Sequence, residues 1–134
     1  MNVVVIDGQG GQFGACLVKK ICEQLPSVTL TAIGTNAVAT ASMLKAGAKR
    51  AATGENPVVV ACRSADVIIG PIGIVIADSM LGEVTPGMAL SVAQADAVRI
   101  LIPINKCENI VVGVSNLNTT ALISDALDKL KALI

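Results

Sequence analysis

The sequence contains no histidine, tryptophan or tyrosine, and Phe13 is its single aromatic residue. Without histidine, neither a Ser-His-Asp hydrolase nor a Cys-His nucleophile can be assembled. Any general acid or base must then be Asp, Glu, Lys or Cys. Without aromatic stacking platforms or a basic run, and with 10 basic residues balanced by 10 acidic ones, nothing favours nucleic acid as a partner. Charged residues are only 15% of the chain, against roughly 25% in ordinary soluble domains. Long apolar runs are missing too. The longest, Val67 to Ala77, is interrupted by Gly70, Pro71 and Gly73 and falls short of the about 20 residues needed to cross a bilayer, so no membrane partner is expected. Cys16, Cys22, Cys62 and Cys107 lack C-x-x-C spacing, which argues against zinc or an iron–sulfur cluster, and no metal site is expected. Their plain reading is small apolar core residues in a reducing compartment.

What is present is aliphatic. Hydrophobic residues make up 53% of 134 residues, a length suited to one domain spanning 1–134. A monomer of this size has difficulty hiding so much apolar surface, so a homo-oligomer, a dimer or higher, is expected. The chain begins one residue before its first strand, and the expected location is cytoplasmic.

The stretch Val3 to Gly14 organises the rest. Val3-Val4-Val5-Ile6 is a strand apolar on both faces, Asp7 ends it, a glycine-rich turn follows, and a helix begins at once over about Gln12 to Leu25. Phe13, Leu17 and Ile21 make its apolar stripe. Further on the pattern alternates. Strands are predicted at Val28–Ile33, weakly at Lys49–Ala52, and at Asp66–Ile69 and Val98–Ile102. Helices are predicted from an Asn36 cap to Ala46, from an Asn56 cap with Pro57 at its first position, after Gly73 through Leu81, from Thr85-Pro86 to Ala95, and from an Asn118 cap. In that last helix Ile123, Leu127, Leu130 and Ile134 share a face. Asn109–Gly113 reads as a sixth strand, too close to the fifth for a parallel crossover and therefore antiparallel. The fold class is α/β: a three-layer, doubly wound, mainly parallel sheet of order 3-2-1-4-5, Rossmann-like, with that antiparallel strand near the C-terminus.

In such folds ligands bind beyond the carboxyl ends of the strands, at the switch point between strands one and four. The loops facing that crevice carry Asp7, Gly8, Gln9, Gly10, Gly11, Gln12 and Gly14, then Thr35 and Asn36, Thr53, Glu55 and Asn56, Gly70 and Pro71, and Asn105. The turn is G-x-G-x-x-x-G, one residue longer than the dinucleotide fingerprint, and can cradle a phosphate against the helix N-terminus. The acid expected about 20 residues on, at the end of strand two, is replaced by Gly34-Thr35-Asn36, so the usual discriminator of NAD from NADP is missing. Asp7 could ligate Mg²⁺, act as a base, or bond loop N–H groups. Glu55 could be an acid/base or ribose-binding group, or an exposed acid favoured by a helix dipole.

The blocks V-I-D-G-Q-G-G, A-I-G-T-N, A-T-x-x-M-L-K-A-G-A, A-T-G-E-N, A-D-V-I-I-G-P-I-G-I and M-L-G-E-V-T-P resemble a family of small, uncharacterised bacterial proteins, mostly from anaerobic Firmicutes. The resemblance runs from Asn2 to about Val114 and implies no particular activity or catalytic residues. Three functions stay open: binding of a nucleotide or phosphorylated metabolite at the glycine-rich turn, an enzyme such as an NAD(P)-dependent oxidoreductase in the same crevice with Asp7 or Glu55 as acid/base, or an oligomeric structural or regulatory partner protein with no ligand.

Overall fold

The computed structural model describes residues 1–104, 108–115 and 118–134. Five strands, β1 (Asn2–Asp7), β2 (Thr29–Gly34), β3 (Arg50–Thr53), β4 (Val67–Pro71) and β5 (Val98–Ile102), form a sheet of order β3-β2-β1-β4-β5. Every pairing in it is parallel. The register pairs Asp7 with Gly34 and Gly34 with Thr53, so the three strand ends reach one rim of the sheet together. Helices α1 (Gln12–Gln24), α2 (Ala37–Lys45), α3 (Glu55–Cys62), α4 (Pro86–Gln94) and α5 (Thr119–Lys131) cover both faces.

Alternation along β1 separates two cores. Val3 and Val5 face Leu17, Val18 and Ile21 of α1, Met43 of α2 and Leu127 and Leu130 of α5. Val4 and Ile6 face Val58 of α3, Met88 and Val92 of α4, and Ile74, Met80 and Val84 from the segment between β4 and α4. Each fully buried aliphatic side chain contributes about 1.5–3 kcal/mol of transfer free energy, which is why β1 and β4, buried on both sides, are apolar without interruption. The weak third strand lies at the sheet edge, where half-buried Ala51 and Ala52 suffice.

Five local readings are corrected by the tertiary structure. No sixth strand forms among the described residues: the segment from Glu108 (φ 66°) to Gly113 (φ 86°) turns rather than extends, and Ile110 and Val112 are over nine-tenths exposed. Helix α3 starts at Glu55 behind Gly54 (φ 101°), so Asn56 does not cap it, and Pro57 sits in the first turn where its missing N–H costs nothing. Between β4 and α4 only a short 3-10 turn, Ile72–Val75, is helical. Asp78, Met80, Leu81 and Gly82 all take positive φ, and the folded loop they make buries Ile74, Met80 and Val84 against the sheet. Finally, Cys16 and Cys22 are exposed and Ile134 points to solvent; of the described cysteines only Cys62 is a core residue. The thiol of Cys62 is pushed above its ordinary pKa by burial.

Candidate functional site

The turn after β1 is fastened from below by Asp7, which is 4% exposed. Its Oδ1 accepts from the Gly8 N–H (2.8 Å) and its Oδ2 from the Gly14 N–H (2.6 Å). Helix α1 has Gly11 (φ 70°) at its N-cap and no side-chain cap of its own, so Asp7 satisfies a first-turn donor from the neighbouring strand. Gly14 makes this contact possible: a Cβ there would lie 2.7 Å from the Asp7 Cβ and 2.8 Å from the Met43 Sδ. Burial pushes the Asp7 carboxyl above its ordinary pKa, the Gly14 and Gly8 N–H groups pull it down, and the charge of Glu83 adds to the upward push. Of the roles open to Asp7, bonding the loop backbone is the one its contacts occupy.

A second carboxylate holds the turn from the side. Glu83 Oε1 accepts from the Gln9 N–H (2.8 Å), the Thr35 hydroxyl (2.8 Å) and the Asn36 side-chain amide (2.6 Å). Burial alone would raise the Glu83 carboxyl; these donors outweigh it and leave the group below its ordinary value, ionised at neutral pH. Asn36 also caps α2 through the Ala39 N–H (2.9 Å) and donates to the Gln9 carbonyl (2.9 Å). The ends of β1 and β2 and the loop after β4 are thereby tied into one unit.

Above this scaffold opens a cavity of about 470 Å³, lined by Asp7, Gly8, Gln9, Gly10, Gly11 and Gln12 together with Phe13, Cys16, Ile104 and Thr119. That volume is in the range of small-molecule sites, about 300–1,000 Å³. The N–H groups of Gly10, Gln12 and Phe13 make no hydrogen bond among the described residues, which leaves three donors at this end of α1. Thr119 is the first residue of α5, so a second helix N-terminus meets the same cavity. Gly10 is singular among the 12 glycines: its φ lies outside the left-handed range, and a Cβ built on it would meet nothing within 4 Å. No requirement of the fold explains its missing side chain.

The other expected site residues are placed as follows. Thr35 and Asn36 are one hydrogen bond beyond the cavity's Gln9 and are engaged by Glu83. Thr53 bonds the Thr40 hydroxyl (2.6 Å). Glu55 accepts from the Thr85 hydroxyl at the start of α4. Asn56 lines a separate groove beside Thr31, Ile33 and Val60 on the α3 face of the sheet. Gly70 and Pro71 are buried at the end of β4 outside the cavity lining, and Asn105 is outside the described residues. Sequence reasoning missed Glu83, Cys16 and Thr119. Only Cys16, one helical turn after Gln12, carried a local signal.

Among the described residues no three His, Cys, Asp or Glu side chains gather to hold a metal ion, and no helix is long and apolar enough to cross a membrane. A doubly wound parallel sheet with a glycine-rich turn at its switch point defines the class. Within it, the chain belongs to the family described as Domain of unknown function (DUF3842), whose model matches residues 2–134. No curated protein matches the chain. A similar solved structure is that of a dodecameric FMN-dependent Ubix-like decarboxylase from Escherichia coli O157:H7, with 16% identity over 98% of this chain and 76% of that one and a TM-score of 0.49.

Proposed function

We propose that the protein binds a phosphate-bearing small molecule, a nucleotide or dinucleotide with NAD(P) among the candidates, in the cavity over the Asp7–Gly14 turn. The observation that carries this reading is Gly10, a glycine that neither strain nor crowding demands, beside the N–H groups of Gly10, Gln12 and Phe13, which bond to none of the described residues. Bare backbone at this point lets a phosphate approach the helix N-terminus. The described walls of the cavity carry no Lys or Arg. Asp7 and the Oε1 of Glu83 act as scaffold, and Glu55, tied to Thr85, is not among the residues lining the cavity.

The test is a thermal-shift panel of nucleotides and dinucleotides on the wild type and Gly10→Val. A stabilising compound whose effect disappears in the variant, with the variant's own melting temperature unchanged, supports the site. A compound that stabilises both proteins equally binds elsewhere. Association of several copies, in the cytoplasm, belongs to the same reading. The exposed Val38, Leu90 and Val98 support it, and light scattering on the eluting protein tests it.

A further inference from the structure

The end of β2 carries no acid, yet a carboxylate stands there. Glu83, delivered by the loop after β4, has its Oε1 fixed by donors from Gln9, Thr35 and Asn36 at 2.6–2.8 Å. Those donors come from the turn after β1 and from the loop after β2, so the position of the carboxylate is set from two elements besides its own. Glu83 is only partly buried, and its second oxygen, Oε2, accepts no hydrogen bond among the described residues. A hydrogen-bonded, ionised carboxylate with one free oxygen is an acceptor and never a donor. It lies directly beside Gln9, the residue before Gly10. In dinucleotide sites this is where the carboxylate on the ribose hydroxyls is found, one step along the turn from the phosphate.

Taking the phosphate reading above as its basis, we propose that Glu83 is the specificity-determining residue of the site: its free oxygen accepts the 2′-hydroxyl of a ligand ribose and repels a phosphate there. The ligand is then a ribonucleotide or dinucleotide with an unmodified vicinal diol. Thr35 and Asn36 do not read the ligand themselves. They are positioning residues that spend their donors on Glu83, so a 2′-phosphate meets a negative charge where the sequence alone places neutral hydroxyl and amide groups.

The experiment measures equilibrium binding of ribonucleoside 5′-phosphates against their 2′-deoxy counterparts, and of NAD against NADP. The proteins are the wild type, Glu83→Gln, Glu83→Asp and Gly10→Val, each checked by its melting curve. A hydrogen bond to a charged acceptor predicts that the ribo compound binds about tenfold or more tightly than the deoxy compound, and NAD more tightly than NADP by at least as much. In Glu83→Gln both ratios should fall toward one, and Glu83→Asp should restore part of the preference. Binding that depends on Gly10 but ignores the 2′ position in the wild type overturns the role of Glu83 and leaves the phosphate site standing. Tighter binding of every phosphate compound to Glu83→Gln, whatever its sugar, overturns it as well, because Glu83 would then be a competitor for the slot. If none of these compounds binds the wild type, both readings fall together.

Discussion

Replacing Gly14 and Gly10 by alanine separates the glycines that the fold needs from the one it does not. In Gly14→Ala the new Cβ falls 2.7 Å from the Asp7 Cβ, 2.8 Å from the Met43 Sδ and 2.9 Å from the Asp7 Oδ2. Asp7 is tied at both oxygens and cannot swing aside without losing them. Overpacking a well-filled site costs about 1–3 kcal/mol. Loss of the Gly14 N–H to a charged acceptor costs about 1.5–3 kcal/mol. Against these, alanine gains about 1 kcal/mol of helix propensity over glycine. The balance is a loss of about 1.5–5 kcal/mol. In Gly10→Ala the Cβ enters open space, and stability should change by no more than about 0.5 kcal/mol. Urea unfolding of the three proteins at neutral pH, read by far-UV circular dichroism, measures both differences. A Gly14→Ala protein as stable as the wild type, or more so as propensity alone predicts, would refute the account of Asp7 and Gly14. So would a Gly10→Ala protein that is strongly destabilised.

Other outcomes follow from the same geometry. Glu83 sits below its ordinary pKa, so its contribution to stability is present above about pH 4.5 and is lost as pH falls through the folded-state value. Glu83→Gln should remove that part of the acid-side loss, seen as a shallower fall in unfolding free energy between neutral pH and pH 3. Asp7, raised above 3.8, has the opposite sign: its contribution is greatest below that value and declines as pH rises through the raised one. Because the two groups oppose each other, the single variants should tilt the pH–stability curve in opposite directions. Thr85 caps α4 by accepting from the Met88 N–H (3.1 Å), so Thr85→Ala should cost about 1 kcal/mol in urea unfolding. Iodoacetamide should modify Cys16 and Cys22 in the folded protein and Cys62 only after unfolding, read by peptide mass spectrometry. A ligand in the cavity should slow modification of Cys16, which lines it, and leave Cys22 unchanged.

Much of this protein was settled by the sequence itself. A strand such as Val3–Ile6, apolar at every position, suits a sheet buried on both faces, and here it lies between two helical layers. The alternation of such strands with helices implies a parallel sheet covered on both faces, and the order 3-2-1-4-5 expected for it is the one that forms. Asn36, Thr85-Pro86 and Asn118 set three helix starts because capping is chemistry between residues close in the chain. The glycine-rich turn likewise announced the cavity floor. Tertiary structure decided what depends on contacts distant in sequence. Thr35 and Asn36, apt for a ligand by residue type, are engaged by a carboxylate 47 or 48 positions away. Glu55, apt as an acid, is bonded to Thr85, 30 positions away. The loop after β4 takes a run of positive φ values where a helix is predicted, and buries Ile74, Met80 and Val84 in a core shared with α3 and α4. Residue type and spacing determine which backbone forms and where its polar groups must be satisfied. Which partner satisfies them, and which donors remain open to a ligand, is decided only when distant segments pack together.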